Sequence, residues 1–274
     1  MIKDRVFNGA KLGFLGVGSM GGALVRAARK NTPSTDICIA NRSPEKAKAL
    51  AAEIPCRVKS NAEIAAWADY IFLGVKPQMM GDLLAEIAPV LAARESRFVL
   101  VSMAAGLTVA DIQTLAGKEY PVLRIMPNTP CSIGEGMILY TPGPGVTEAE
   151  VRVFLESMAG AGRFSPIPEK QMDAGSAVAG CGPAFVDLFV EALADGGVAC
   201  GLPRAQALEY AAQMVLGSAR LILDSGKHPG ALKDAVCSPG GSTIQGVRKL
   251  EEAGFRGAVM DAVIAACEKN RTLK

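Results

Sequence analysis

The chain has 274 residues, 50% of them hydrophobic and 20% charged, with 29 Lys and Arg against 27 Asp and Glu for a net charge of +2. That length and apolar content suit one large or two moderate globular domains with a real core, and scattered, balanced charge argues against nucleic acid or a membrane as partner. The 7 cysteines stand at wide spacings without a C-x-x-C pair and there is 1 histidine, which argues against a disulfide framework and against any metal site and points to a cytoplasmic protein.

Lys3 and Arg5 ahead of apolar Leu12 to Val17 have the outline of a signal peptide, but glycines break the stretch. It reads better as a strand, Lys11 to Gly16, running into Gly16-Val17-Gly18-Ser19-Met20-Gly21 and then a helix from Gly22 to Lys30. That string fits G-x-G-x-x-G, whose glycines allow a tight turn and let backbone N–H groups at a helix N-terminus approach a pyrophosphate. The strand before it and the helix after it supply the context the motif needs, so a dinucleotide is the expected ligand.

The alternation continues with strand Asp36 to Ala40, helix Pro44 to Glu53, strand Asp69 to Val75, helix Pro77 to Ala92, strand Phe98 to Ser102, helix Thr108 to Ala116 and strand Val122 to Met126. Strands alternating with helices predict right-handed crossovers and a parallel sheet covered on both faces. Gly136 to Tyr140, a Pro142-Gly143-Pro144-Gly145 turn, helix Glu148 to Ala159 and a strand near Arg163 to Ile167 are expected to finish the sheet with an antiparallel edge. Beyond Glu169 only helical runs remain: Met172 to Cys200, Arg204 to Leu223, Thr243 to Glu252 and Gly257 to Lys269. The predicted fold is therefore α/β, a Rossmann-like doubly wound sheet over residues 1–168 followed by an all-helical domain over 169–274. Pro183 should kink the first long run. Asp187, Glu191 and Asp195 at helical spacing suit a packed helix better than a membrane span. Apolar residues around much of each helix predict a second subunit.

Where an NAD site presents an acid to the ribose, the second strand ends in Asn41-Arg42-Ser43. An arginine and a hydroxyl suit a 2′-phosphate, and Ser43 also stands where it would cap the helix opening at Pro44. Gly74-Val75-Lys76-Pro77-Gln78 and Ser102-Met103-Ala104-Ala105-Gly106 close two further strands and point at the same crevice, the small residues of the second leaving room for a flat nicotinamide. In the helical half, Ser238-Pro239-Gly240-Gly241-Ser242-Thr243-Ile244-Gln245 makes a turn, and Ser242 with Gln245 has the spacing of a capping box; such a loop suits a carboxylate as well as it suits capping. Between Gln171 and Gly226 there is neither lysine nor histidine, and His228 lies in a His-Pro-Gly loop. Oxidising a hydroxyl calls for such a base, so hydride addition to an electrophilic C=N bond fits better.

These strings, together with Met126-Pro127-Asn128-Thr129-Pro130 and Gly180-Cys181-Gly182-Pro183-Ala184, occur in the order seen in pyrroline-5-carboxylate reductases, which the chain resembles over nearly its whole length. The resemblance implies reduction of 1-pyrroline-5-carboxylate to L-proline with NADPH, NADH being the other hydride source. It also implies a homodimer built through the helical domain and a larger ring of dimers. It places Leu15, Gly16, Val17, Gly18, Ser19, Met20, Asn41, Arg42, Ser43, Asn61, Val75, Lys76, Pro77, Met103, Ala104 and Ala105 against the cofactor. Gly241, Ser242 and Thr243 would hold the substrate, with Glu169 beside them and Thr243 as the catalytic group. The chain departs from the family at Ala235, where relatives have an asparagine, and at Cys181, where they have a serine. A reductase of another cyclic imine, a β-hydroxyacid dehydrogenase relative and a non-catalytic NADPH-binding sensor stay open as alternatives.

Overall fold

A computed structural model describes residues 9–273, so Lys3 and Arg5 lie outside the described residues. The described residues form two compact units, 9–181 with 266–273, and 182–265. In the first, β1 (Leu12–Leu15), α1 (Ser19–Arg29), β2 (Ile37–Ala40), α2 (Pro44–Glu53), β3 (Arg57–Val58), α3 (Asn61–Trp67), β4 (Tyr70–Leu73), α4 (Met80–Ala93), β5 (Val99–Ser102), α5 (Val109–Leu115) and β6 (Val122–Met126) alternate along the chain. They are followed by β7 (Gly136–Pro142), α6 (Glu148–Met158), β8 (Gly162–Pro166) and α7 (Met172–Ala179).

The strands lie in one sheet in the order β3-β2-β1-β4-β5-β6-β7-β8, parallel from β3 to β6. Strand β7 runs antiparallel to β6 and β8 runs parallel to β7, so the reversed edge is two strands deep. Every residue of β1, β2, β4, β5 and β6 is buried, the continuous apolar pattern of a parallel sheet covered on both sides. One face packs Phe14 on Phe72 with ring centroids 4.2 Å apart and adds Phe154 of α6. The other packs Leu15, Ile71 and Leu73 under α3 and α4 through Ile64, Leu84 and Ile87. The sheet therefore ends in a rigid row of strand tips, on which site residues can be held.

Helix α7 stays with the sheet and belongs to the first compact unit. Met172 is buried against Met126 and Leu139, and buried Asn270 donates from Nδ2 to the Asp173 carbonyl at 3.1 Å. Underneath, Arg124 of β6 is 3% exposed and reaches Glu169 Oε1 at 3.3 Å and Asp173 Oδ1 at 3.9 Å.

The second unit holds α8 (Gly182–Ala199), α9 (Arg204–Ser225), α10 (Pro229–Ala235), α11 (Ser242–Glu252) and the first part of α12 (Phe255–Arg271). Pro183 does not kink one long helix. The run divides at Gly180-Cys181, and Pro183 sits in the first turn of α8, where its missing N–H would have no intrahelical partner anyway. By length and composition 169–199 would span a membrane, but the run is broken at Gly180-Cys181 and carries Asp187, Glu191 and Asp195 in its second half. His228 is no mere loop residue: its Nδ1 accepts the Gly230 N–H at 3.0 Å and caps α10.

One carboxylate buried in the first unit is paired with an exposed arginine. Glu150, 7% exposed, accepts from Arg97 at 2.7 Å and closes the Thr147 capping box of α6. Burial works against its charge, but hydrogen bonds from Arg97 and Thr147 outweigh it and hold the carboxyl below the usual carboxylate range. A depressed folded-state value means stability that is present above the unfolded pKa and lost as pH falls through the folded one. Glu150→Gln should therefore cost about 1–2 kcal/mol at pH 7, and the gap to the native protein should close as the pH drops below about 4. Thermal melts of both proteins across that range check this; a gap independent of pH would rule out the charge as its source.

Candidate functional site

At the C-terminal ends of β1, β2 and β4 the sheet opens into a cavity of about 690 Å³. Its floor is the glycine turn. The Gly16 N–H donates to Ala40 O at 2.9 Å and the Gly74 N–H to Leu15 O at 2.7 Å, which brings the three strand tips together. A Cβ on Gly16, which has φ +102°, would lie 2.4 Å from Gly74 O, and one on Gly74 would lie 2.2 Å from Gly16 O, so neither position admits a side chain. At Gly18 the opposite holds: a Cβ there would meet nothing within 4 Å. Gly18 is the N-cap of α1 and offers no side chain to the first-turn N–H groups, leaving donors and a positive dipole end facing open space. An anionic group of pyrophosphate size fits that cradle.

Asn41 holds the turn in place: its Oδ1 accepts the Val17 N–H at 3.0 Å and its Nδ2 donates to Ser43 O at 3.1 Å. Ser43 occupies the N-cap of α2, but its hydroxyl makes no capping bond. The capping expected of it is therefore made by backbone geometry alone, and the oxygen is free for a ligand. Arg42 and Lys46, both exposed, line the cavity beside it. Neither forms an ion pair among the described residues. Asn61 opens α3, whose N-cap Ser60 and Glu63 form a reciprocal capping box. Hydrogen bonds from Lys59 and Ser60 hold the Glu63 carboxyl at about 2, so the box stays ionised far into acid. Asn61 Nδ2 donates to Glu86 of α4 at 2.9 Å.

Of the expected cofactor residues, Leu15, Gly16, Gly18, Asn41, Arg42, Ser43, Asn61, Val75 and Lys76 line the cavity. Val17, Ser19 and Met20 belong to the same turn and the start of α1, and Pro77 opens a short turn after Lys76; none of the four lines it. Met103, Ala104 and Ala105 follow β5 outside the cavity, with Ala104 only 2% exposed. Sequence reasoning missed Lys46, Met79, Asp82, Leu83 and Glu86 in the lining. Lys46 had a readable signal, since it stands in the first turn of α2, three residues after Ser43; the residues at and along the start of α4 had none, because only the fold brings them there.

In the second unit the Ser-Pro-Gly-Gly turn leads into α11 with Gly241, not Ser242, at the N-cap and no side-chain capping bond. The expected box fails because Ser242 is already helical, so its hydroxyl and Gln245 sit one place past the reciprocal geometry. Ser242 and Thr243 are exposed in the first turn, where backbone donors go without a side-chain partner. Glu169 lies in the first unit and is engaged: Oε1 accepts the Val109 N–H at 2.7 Å, at the start of α5, as well as Arg124. Among the described residues no group of three or more His, Cys, Asp or Glu side chains is placed to hold a metal.

Comparison with known proteins gives the chain a family. Residues 169–273 match a family model described as pyrroline-5-carboxylate reductase dimerisation, and 11–106 match one described as NADP oxidoreductase, coenzyme F420-dependent. The pyrroline-5-carboxylate reductase of Pisum sativum is 39% identical over 264 residues, 96% of this chain and 95% of its own. That of Escherichia coli K12 is 41% identical over 266 residues, 96% of this chain and 98% of its own. The crystal structure of Plasmodium falciparum pyrroline carboxylate reductase with NADP bound superposes with a TM-score of 0.86 at 34% identity, covering 96% of this chain and 98% of that one.

Proposed function

The chain belongs to the pyrroline-5-carboxylate reductase family, and from that premise we propose how its residues carry the NADPH-dependent reduction of 1-pyrroline-5-carboxylate to L-proline. The observation that carries the reading is the open cradle at Gly18, with Arg42 standing where an NAD enzyme has an acid. The pyrophosphate fits the free N–H groups of the α1 first turn. Arg42, the uncommitted Ser43 hydroxyl and Lys46 form a three-sided site for the 2′-phosphate, Lys46 being an addition that the fold makes visible. Val75 and Lys76 extend the wall from β4, and Met103 to Ala105 remain our choice for the nicotinamide end on the strength of the resemblance. When bound, the reduced nicotinamide supplies the hydride. NADH shares every contact except those to the 2′-phosphate and is the weaker alternative. The relatives' names do not favour a hydroxyacid substrate or a non-catalytic sensor.

The substrate carboxylate suits the first-turn N–H groups of α11 between Gly241 and Thr243, which no side chain caps. We assign the Thr243 hydroxyl to the ring nitrogen, where its hydrogen bond keeps the C=N polarised so that C5 accepts the hydride while the nitrogen takes the hydroxyl proton, which solvent water then replaces. A base that takes a proton from substrate is not needed. Glu169 is a weaker candidate for substrate contact, because its carboxylate already holds α5 and Arg124.

The second unit cannot cover its own apolar surface. From 182 to 265 only Ala194, Ala207 and Ala211 are buried, while Leu188, Leu216, Leu223 and Met260 are 68, 59, 65 and 59% exposed. An apolar groove of about 570 Å³ between Phe185, Phe189, Leu250 and Phe255 adds to this surface. Together with the dimerisation family model, this supports a homodimer through the segment after Glu169, with a ring of dimers as the larger assembly. All seven cysteines are unpaired, in keeping with a cytoplasmic setting.

Three outcomes test these assignments. Arg42→Ala removes a charge-assisted contact worth about 1.5–3 kcal/mol, so KM for NADPH should rise about ten- to a hundredfold with NADH nearly unchanged; equal weakening would make Arg42 structural. Thr243→Ala should lower kcat by about ten- to a thousandfold without lowering the melting temperature, and Thr243→Ser should recover most of it; near-normal turnover in the alanine variant would end the catalytic assignment. Sedimentation equilibrium at micromolar concentration should show no monomer, and a stable full-length monomer would defeat the dimer.

A further inference from the structure

One wall of the cavity does work that phosphate binding does not need. Phosphate is served by the glycine turn and by the cations at the β2 and β4 tips. The opposite side is built from Asn61 of α3 and from Met79, Asp82, Leu83 and Glu86 at and along the start of α4. Two of these are carboxylates one helical turn apart, an unfavourable lining for an anion. Two are apolar side chains of the kind that accept a flat ring. With the ribose phosphate assigned to the β2 tip and the pyrophosphate to the β1 turn, the nucleobase end of the dinucleotide is left to this wall.

The chemistry of the wall is one-sided. An ionised carboxylate only accepts hydrogen bonds, so the contact at 2.9 Å between Asn61 and Glu86 has one possible sense: Asn61 must present its Nδ2 to Glu86. That choice leaves Asn61 Oδ1, which has no hydrogen-bond partner among the described residues, as the atom available to a ligand. Asp82 adds a further acceptor on the same helix face. A base edge carrying an exocyclic amine matches such a wall, and an edge carrying an oxo group opposes oxygen to oxygen.

We propose that Glu86 is a specificity-determining positioning residue: by fixing the Asn61 amide with its oxygen toward the base, it selects a 6-amino purine over a 6-oxo purine. The proposal rests on the reading that this cavity binds the dinucleotide. It gives Glu86 a role that neither the glycine motif nor the 2′-phosphate cluster includes.

Isothermal titration of the full-length enzyme with NADP⁺ and with nicotinamide hypoxanthine dinucleotide phosphate, its 6-oxo analogue, tests it through the ratio of the two dissociation constants. The native protein should favour NADP⁺ by about tenfold, the scale of one mismatched polar contact. In Glu86→Lys residue 86 only donates, so Asn61 must turn its oxygen toward it and its Nδ2 toward the base, and the preference should vanish or invert. Glu86→Gln can pair with either end of the amide and should give an intermediate ratio, which serves as the reading should the lysine variant not fold. A native ratio near one, or a ratio unchanged in both variants, overturns the proposal. Arg42→Ala separates this from the cofactor reading: it should weaken both ligands together and keep their ratio. If both ligands bind Arg42→Ala as they bind the native protein, the cavity is not the cofactor site and both ideas fall. If Arg42→Ala weakens both while the Glu86 variants keep the native ratio, only the role of Glu86 falls.

Discussion

The site depends on how closely two backbones approach. Strands β1 and β4 are paired neighbours whose registers end at Leu15 opposite Leu73, and the chain leaves both tips at once, through Gly16 and Gly74. The connections from β1 to β2 and from β3 to β4 place strands on opposite sides of β1, so the chain parts in two directions at this seam and leaves a crevice. The crevice stays narrow at its base because each glycine carbonyl occupies the space where the other residue's Cβ would be. A methyl group at either place would force the tips apart, tilt the start of α1 and turn its free N–H groups away from the cavity. Asn41 completes the arrangement by tying the Val17 N–H to the end of β2, so the glycine turn and the Arg42-Ser43 segment are joined by a direct hydrogen bond.

What could be read from residues alone follows from the range of the interactions involved. Strand β1, helix α2 and strand β6 are set by local pattern: an apolar run, a proline at the first helical position, a run closed by a turn. Their limits in the structure fall on or beside the residues that the pattern marks. Strand β3 and helix α3 escaped because two residues of strand and seven of helix are too short for a periodic signal, although Ser60 and Glu63 carry the capping-box spacing that marks the helix start. The same spacing misled at Ser242 and Gln245. A glycine one place earlier can be the N-cap, and the pattern alone does not tell which residue first turns helical. Asp82 and Glu86 were beyond reach for a different reason. Nothing in their neighbourhood distinguishes them from an exposed helix face, and only the packing of α4 beside the β4 tip gives them a cavity to line.

The buried charge cluster shows why the compact unit runs on past the last strand. Arg124 sits inside β6 between Ser102 and Thr141, and its Nε is buried without a hydrogen-bond partner among the described residues. A buried guanidinium is costly unless paired. Its partners, Glu169 and Asp173, come from the segment that composition assigns to the helical half. Removing either carboxylate would leave the charge less compensated, so the residues just after Pro168 are bound to the sheet by electrostatics as well as by Met172. Composition changes at Pro168; the counter-charge for Arg124 holds Glu169 and Asp173 to the sheet, and the Asn128 amide, donating to the Ala179 carbonyl at 2.9 Å, holds the far end of α7.

The cavity separates its charges along its length, and that separation has a consequence for how a dinucleotide enters. Arg42, Lys46 and Lys76 stand at the strand tips, whereas Asp82 and Glu86 stand on α4. A molecule with phosphates at its middle and on one ribose, and a neutral base beyond, lowers its energy in only one of the two end-to-end orientations. Reversed, it would bring phosphate against two carboxylates and leave the cations unpaired, at a cost that grows as water is displaced from the crevice. On the proposed assignment the acidic wall discriminates twice: against the wrong orientation through charge, and against the wrong base edge through the absence of donors. The two effects meet at Glu86, which carries part of the charge on α4 and also holds the Asn61 amide of α3.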